Sequence, residues 1–231
     1  MEIRPRTFMI ALVGALIGLT ALIGPAAVDA GSGDYRKLSA EWWKWVYSLP
    51  CTDGHCPNAV LDLTGDYAVV GQHGEVWFLA GTFGQTATRH AYVPEETQIF
   101  FPVINGAFFD SPNNCGQDSN SIGIDEGRAA IAPVIDGAIN LSATLDGKPL
   151  KMFRDQSVVF AVSMPKNNLY EFFGIPCAQG IYSPAVADGY WVLIKKLSAG
   201  SHILRIHAEN PSIPLVVDVT YHLTVVPLKL K

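Results

Sequence analysis

The sequence predicts a mainly β fold, an antiparallel β-sandwich or jelly roll with an N-terminal helix and one further short helix. Three observations carry that expectation. Beyond Pro57, short apolar runs alternate with Gly, Asn and Asp at close intervals. Several of these runs alternate apolar and polar residues with period two, most cleanly from Leu215 to Val226. Gly and Pro, 21 and 15 of 231 residues, are too frequent for an all-helical chain. With 49% hydrophobic and 16% charged residues the chain is not of a disordered type. Its net charge of −5 lacks the basic stripe of a nucleic-acid binder.

The elements follow in order. Arg4 and Arg6 precede an uncharged stretch from Thr7 to Val28, and Val28-Asp29-Ala30 sets small residues where a signal peptidase reads. Residues 1–30 therefore read as a secretory signal cut after Ala30, with a secreted or periplasmic destination and no membrane segment beyond the signal. Residues 31–57 read as a helical N-terminal appendage and 58–231 as a single β-sandwich domain. Within the appendage, Tyr35, Leu38, Trp42, Trp45, Val46 and Leu49 recur at spacings of three and four, which predicts a helix over 34–49 ending before Pro50.

Strands are expected over Val60–Leu63, Glu75–Ala80, Thr88–Tyr92, Gln98–Ile104, Ala138–Leu145, Ser157–Ser163, Tyr190–Lys195, His202–Ala208 and Leu215–Val226. A second helix is expected from Ile124 to Ile131, stopping near Pro133. Asp146-Gly147 marks one hairpin turn, and Ser198-Ala199-Gly200 is read as the turn of a second hairpin from Tyr190 to Ala208.

The four cysteines all lie beyond the signal, and an even number in an exported chain implies two disulfides. Cys51 and Cys56 flank a short loop and are paired on that ground, which leaves Cys115 with Cys177.

Four groups of residues could carry chemistry. If His202–Ala208 and Leu215–Val226 pair antiparallel, paired positions sum to an odd number. Either Arg205 or His207 then faces Asp218, and Arg205, His207, Asp218, Thr220 and His222 share one face. A carboxylate can orient and charge a neighbouring imidazole for acid–base work. The plain alternative is a solvated cross-strand pair. Secondly, Asp110, Asn113, Asn114, Gln117, Asp118 and Asn120 offer hard oxygen ligands, with Asp110, Asp118 and Asn120 the weak calcium candidates. Cys115-Gly116 interrupts any EF-hand spacing, an Asx-rich turn fits the same residues, and no metal is assigned. Thirdly, Trp43 falls off the apolar stripe of the first helix and is a candidate exposed platform for a sugar ring. Finally, Glu75, Glu95 and Glu96 are carboxylates without a defined partner across a cleft, which glycoside hydrolysis needs. No nucleophile elbow, zinc-protease helix motif or Gly-rich phosphate loop is present, and no cofactor is expected.

The segments Ser39-Ala40-Glu41-Trp42-Trp43-Lys44-Trp45, Val76-Trp77-Phe78-Leu79-Ala80-Gly81-Thr82-Phe83-Gly84, Phe100-Phe101-Pro102-Val103-Ile104-Asn105 and Asp188-Gly189-Tyr190-Trp191-Val192-Leu193 resemble a group of uncharacterised exported bacterial proteins. The resemblance implies export and a single domain, and carries over no catalytic residue because the group has no established activity. Two functions remain in view: a non-catalytic binding or cell-surface structural domain with a glycan or protein partner, and an extracellular hydrolase with a carboxylate and His site on a strand face. The signal reading has a direct check: intact-mass measurement of native exported protein should give a chain starting at Gly31, and a retained segment from Met1 to Ala30 would refute it.

Overall fold

The computed structural model describes residues 32–227 apart from Asp53. The expected signal, 1–30, lies outside the described residues. Two five-stranded sheets form the body. The first runs in the order β1 (Val76–Phe78), β3 (Gln98–Phe109), β8 (Gly180–Ile194), β6 (Phe153–Gln156), with β7 (Phe160–Met164) also pairing β8. The second runs in the order β2 (Thr86–Pro94), β10 (Leu215–Val226), β9 (Gly200–Asn210), β4 (Ile139–Leu145), β5 (Lys148–Pro149). The helices are α1 (Ser32–Ser48), α2 (Ile124–Asp136) and the single turn α3 (Leu169–Phe172).

The fold is mainly β and sandwich-like, as expected. Both sheets are mixed rather than purely antiparallel, because β1 pairs β3 and β2 pairs β10 in parallel. A parallel neighbour needs a crossover. The chain supplies one through β2 and another through all the elements from β3 to β9.

Two layers of core result. Phe101, Val103, Val192 and Ile194 of the first sheet meet Leu204, Ile206, Val217, Val219 and Tyr221 of the second. On the opposite face of the first sheet, Phe100, Ala187 and Trp191 pack against Trp42, Trp45 and Val46 of α1. Trp42 lies edge-on to Trp191, whose ring stacks on Phe100 at 5.2 Å. The helix is the third layer.

Several sequence expectations are corrected. Val60–Leu63 is a turn, not a strand: the Asp62 carboxylate accepts the backbone N–H groups of Thr64, Gly65 and Tyr67 at 2.8–2.9 Å and holds the chain bent. Tyr190 to Ala208 is not a hairpin, since β8 and β9 lie in different sheets. Their apolar residues meet face to face across the core, so Ser198-Ala199-Gly200 belongs to a connection between layers. Helix α2 runs through Pro133 to Asp136. Ile131, Val134 and Ile135 continue its buried stripe, and Arg154 bridges Asp136 at 2.6 Å to the buried Asp188 at 2.9 Å. These contacts outweigh the one hydrogen bond that the proline removes. The Asp146-Gly147 hairpin is present as read, with both residues at positive φ and Leu145 paired to Lys148.

Both disulfides have the expected partners, Cys51 with Cys56 and Cys115 with Cys177. The second spans 62 positions and in the chain-entropy view contributes roughly 4 kcal/mol, against about 2 for the short loop.

One charge lies at the centre. Arg89 on β2 is fully buried and points into the space between the sheets. Its Nε donates to the Asp62 carbonyl at 2.7 Å, Nη1 to the Ala80 carbonyl at 2.5 Å and the Tyr221 hydroxyl at 2.6 Å, and Nη2 to the Gly81 carbonyl at 3.1 Å. The Tyr221 hydroxyl also donates to the Ala80 carbonyl at 2.8 Å and accepts from the Ala80 N–H at 3.1 Å. The segment Asp62–Gly65 lies along the outer edge of β2, where Thr88 N–H bonds the Leu63 carbonyl. Gly65 sits there at φ +103, and a Cβ on it would stand 2.5 Å from the His90 amide nitrogen. Tyr221→Phe leaves the buried Arg89 and Ala80 groups short of a partner and should destabilise the fold by about 1–3 kcal/mol in denaturant melts; a change under about 0.5 kcal/mol would show that this network holds nothing.

Candidate functional site: the outer face of the second sheet

Pleat parity decides which side chains reach solvent. In β10, Val217, Val219, Tyr221 and Leu223 are buried, which turns Asp218, Thr220, His222 and Thr224 outward. β9 lies antiparallel beside it with His207 opposite Asp218, Arg205 opposite Thr220 and Ile203 opposite His222. Of the two registers that the sequence allowed, this is the one that sums to 425. The expected gathering of Arg205, His207, Asp218, Thr220 and His222 on one face is therefore present.

The sequence did not show what lies on the other side of β10. β2 runs parallel to it, placing Thr86 beside Asp218, Thr88 beside Thr220, His90 beside His222 and Tyr92 beside Thr224. The alternation Ala87, Arg89, Ala91, Val93 against Thr86, Thr88, His90, Tyr92 was legible in principle. Its partner was not, because a parallel pairing across more than 120 residues leaves no turn signal. On β4, Ser142 and Thr144 extend the rows beyond His207 and Arg205.

The rows differ in chemistry. His207 Nε2 lies 3.1 Å from Glu209 Oε1, while its Nδ1 is 4.0 Å from Asp218 Oδ1. The His207 hydrogen bond, followed by one from Asn140, holds the Glu209 carboxyl below its usual range. Arg205 is exposed and has no ion pair among the described residues. One row along, the imidazoles of His90 and His222 stack at 4.9 Å with 14° between planes. Tyr92 beside them is 68% exposed and Ile203 is 39% exposed.

A second His–carboxylate contact sits at the end of the same sheet. His202 Nδ1 is 2.7 Å from Asp146 Oδ2, its Nε2 is 2.9 Å from the Ser198 carbonyl, and the Ser198 hydroxyl is 3.5 Å from Nε2. The order Asp, His, Ser is that of an acyl-transfer relay. However, the ring nitrogen that would take the serine proton already faces a carbonyl acceptor at the shorter distance. Both nitrogens thus act as donors, which favours an imidazolium clip between two turns over a general base.

The remaining candidates are absorbed by the scaffold. Trp43 is 5% exposed, not a free platform: it stacks on Tyr47 at 5.1 Å and lies edge-on to Trp42. The sequence stripe anticipated one buried face of α1, but the chain after Leu49 returns over the helix, and Trp42 and Trp45 donate to the carbonyls of Leu79 and Val70. In the Asx-rich loop, Asp110 Oδ1 accepts from Gln117 Nε2 at 2.7 Å and from Ile122 N–H at 2.9 Å. Burial opposes the Asp110 charge, but these bonds outweigh it and keep its carboxyl below the ordinary value. Asp118 Oδ1 accepts from Asn120 N–H at 2.8 Å. Of the three calcium candidates, Asp110 and Asp118 thus serve their own turn. Nearby Cys115 pairs with Cys177, and Asn114 donates to the Tyr182 hydroxyl. Glu96 pairs with Lys196 at 2.7 Å.

The clip makes stability pH-dependent. Partial burial disfavours the charged His202 ring, but the Asp146 bond and the Ser198 carbonyl outweigh it and raise its pKa above 6.5. The hydrogen bond from His202, then that from Ile203 N–H, lowers the pKa of Asp146 below 3.8. A raised His pKa contributes stability below 6.5 that is lost as pH rises through the folded value. A lowered Asp pKa contributes stability above 3.8 that is lost as pH falls through the folded value. The pair therefore stabilises most between these limits, by under about 1 kcal/mol because water screens it. Denaturant melts of wild type against Asp146→Asn should show the difference greatest near pH 5 and shrinking as pH rises through the raised His202 value; a difference independent of pH would refute the clip.

Set against family models, curated proteins and solved structures, the chain matches none, so its function is read from its own residues.

Proposed function

We propose that the chain is a binding domain that holds a glycan or protein partner on the outer face of the second sheet, exported from a bacterial cell as its segment resemblance implies. The observation that carries this reading is the exposed strip of Tyr92, the stacked His90–His222 pair and Ile203, set beside the unpaired Arg205 and a field of Thr hydroxyls. Aromatic and apolar faces next to hydrogen-bonding groups are what pyranose rings and peptide surfaces require. The inner face of the second sheet is packed throughout against the first, which holds the strip in place and lowers the ordering cost of binding. The secreted or periplasmic destination fits the disulfides.

The hydrolase alternative has weaker support. His207 is engaged by Glu209 and stands 4.0 Å from Asp218, on a face open to solvent. A polysaccharide and peptide panel probed with oxidised protein should identify a partner that Tyr92→Ala and Arg205→Ala each weaken at least tenfold, or about 1.4 kcal/mol, with the fold intact. Turnover of esters, peptides or glycans that Asp218→Asn abolishes would replace the binding reading with the hydrolase one.

A further inference from the structure

The six histidines of the chain divide by what their ring nitrogens meet. His55 Nε2 bonds the Tyr67 hydroxyl at 3.2 Å, and His73 Nδ1 bonds the Gly71 carbonyl at 3.0 Å. His202 is held by Asp146 and Ser198, and His207 by Glu209. Only His90 and His222 have no hydrogen bond or ion pair among the described residues. Their rings stack on each other at 4.9 Å.

That distance is the spacing of neighbouring strands. The two residues are register partners on the parallel strands β2 and β10, so their side chains leave the sheet side by side in the same direction. We propose that His90 and His222 form a two-imidazole site for a divalent transition-metal ion, with Cu²⁺ the preferred ion. Imidazole suits Cu, Zn and Ni, and affinity along the first-row series peaks at Cu²⁺. Metal–nitrogen bonds of about 2.0–2.1 Å require the two ligating nitrogens to approach to about 3 Å. The rings must tilt toward each other from the stack, and no hydrogen bond is broken when they do. The pair's neighbours along the strands are Thr88 and Thr220 on one side and Tyr92 and Thr224 on the other.

No cluster of three or more His, Cys, Asp or Glu is present among the described residues. The chain thus supplies two ligands, and water fills the other positions. The site is accordingly open and exchangeable, unlike the closed shell of a structural metal. It does not rest on the partner-binding reading: either can fail while the other stands.

The test is titration of CuCl₂ into tag-free protein at neutral pH, followed by calorimetry and by electron paramagnetic resonance. The expected result is one Cu²⁺ per chain with two nitrogens resolved in the hyperfine pattern. His90→Gln and His222→Gln should each weaken binding at least tenfold and leave at most one nitrogen. His55→Gln should change neither reading. Absence of one-to-one binding, or affinity retained in both variants, would overturn the proposal and leave the pair as ring packing. Circular dichroism checks each fold, and should His222→Gln be perturbed, His90→Gln on the edge strand decides.

Discussion

A buried guanidinium with no carboxylate partner among the described residues organises this protein. Arg89 has three backbone carbonyls and one phenol around it, and these four acceptors come from three parts of the chain: the turn at Asp62, the stretch at Ala80 and Gly81, and β10 at Tyr221. A charge removed from water must be compensated by well-placed dipoles or the fold loses several kcal/mol. The Asp62 turn, the chain leaving β1 and the depth of β10 are therefore fixed together. Shift any of them and the others lose their partner. The register of β2 on β10 fits the same demand, since Tyr221 and Arg89 are partners in it.

The parts legible in the sequence were those with local causes. Alternation in β10 fixed its buried face and, by parity, the company of Asp218, Thr220 and His222. Cysteine spacing paired the disulfides, and Asp146-Gly147 announced its turn. What was not legible had distant causes. Trp43 looked peripheral because the stripe buries one face of α1, whereas a second face of the helix is buried too, with Trp43 packed on Tyr47 and Trp42. Pro133 looked terminal because the contacts that carry α2 past it lie on β6 and β8. Tyr190 to Ala208 looked like a hairpin because two amphipathic strands close in sequence fit one core equally well by pairing edge to edge or by facing each other.

The candidate site divides along the same line. Half of it, from β9 and β10, could be assembled by parity alone. His90 and Tyr92 could not, because nothing near β2 names β10 as its neighbour. Their presence changes the chemistry of the face from a set of ion pairs to a strip in which rings and a free guanidinium lie next to hydroxyls. The inner surfaces of both sheets are consumed by packing, so this outer face is where β2, β9 and β10 can vary without cost to the core.

The glycine at position 65 has a consequence for behaviour in a crowded exterior. Its backbone lies so close to His90 that any side chain would lift the Asp62–Gly65 segment away from β2. That would uncover the outer edge of β2 around Thr88 and His90, at the margin of the second sheet, and leave bare amides and carbonyls there. Such groups recruit strands from other molecules. The absence of one methyl group thus keeps the edge of β2 bonded to its own chain at Thr88 rather than open to a strand from another molecule.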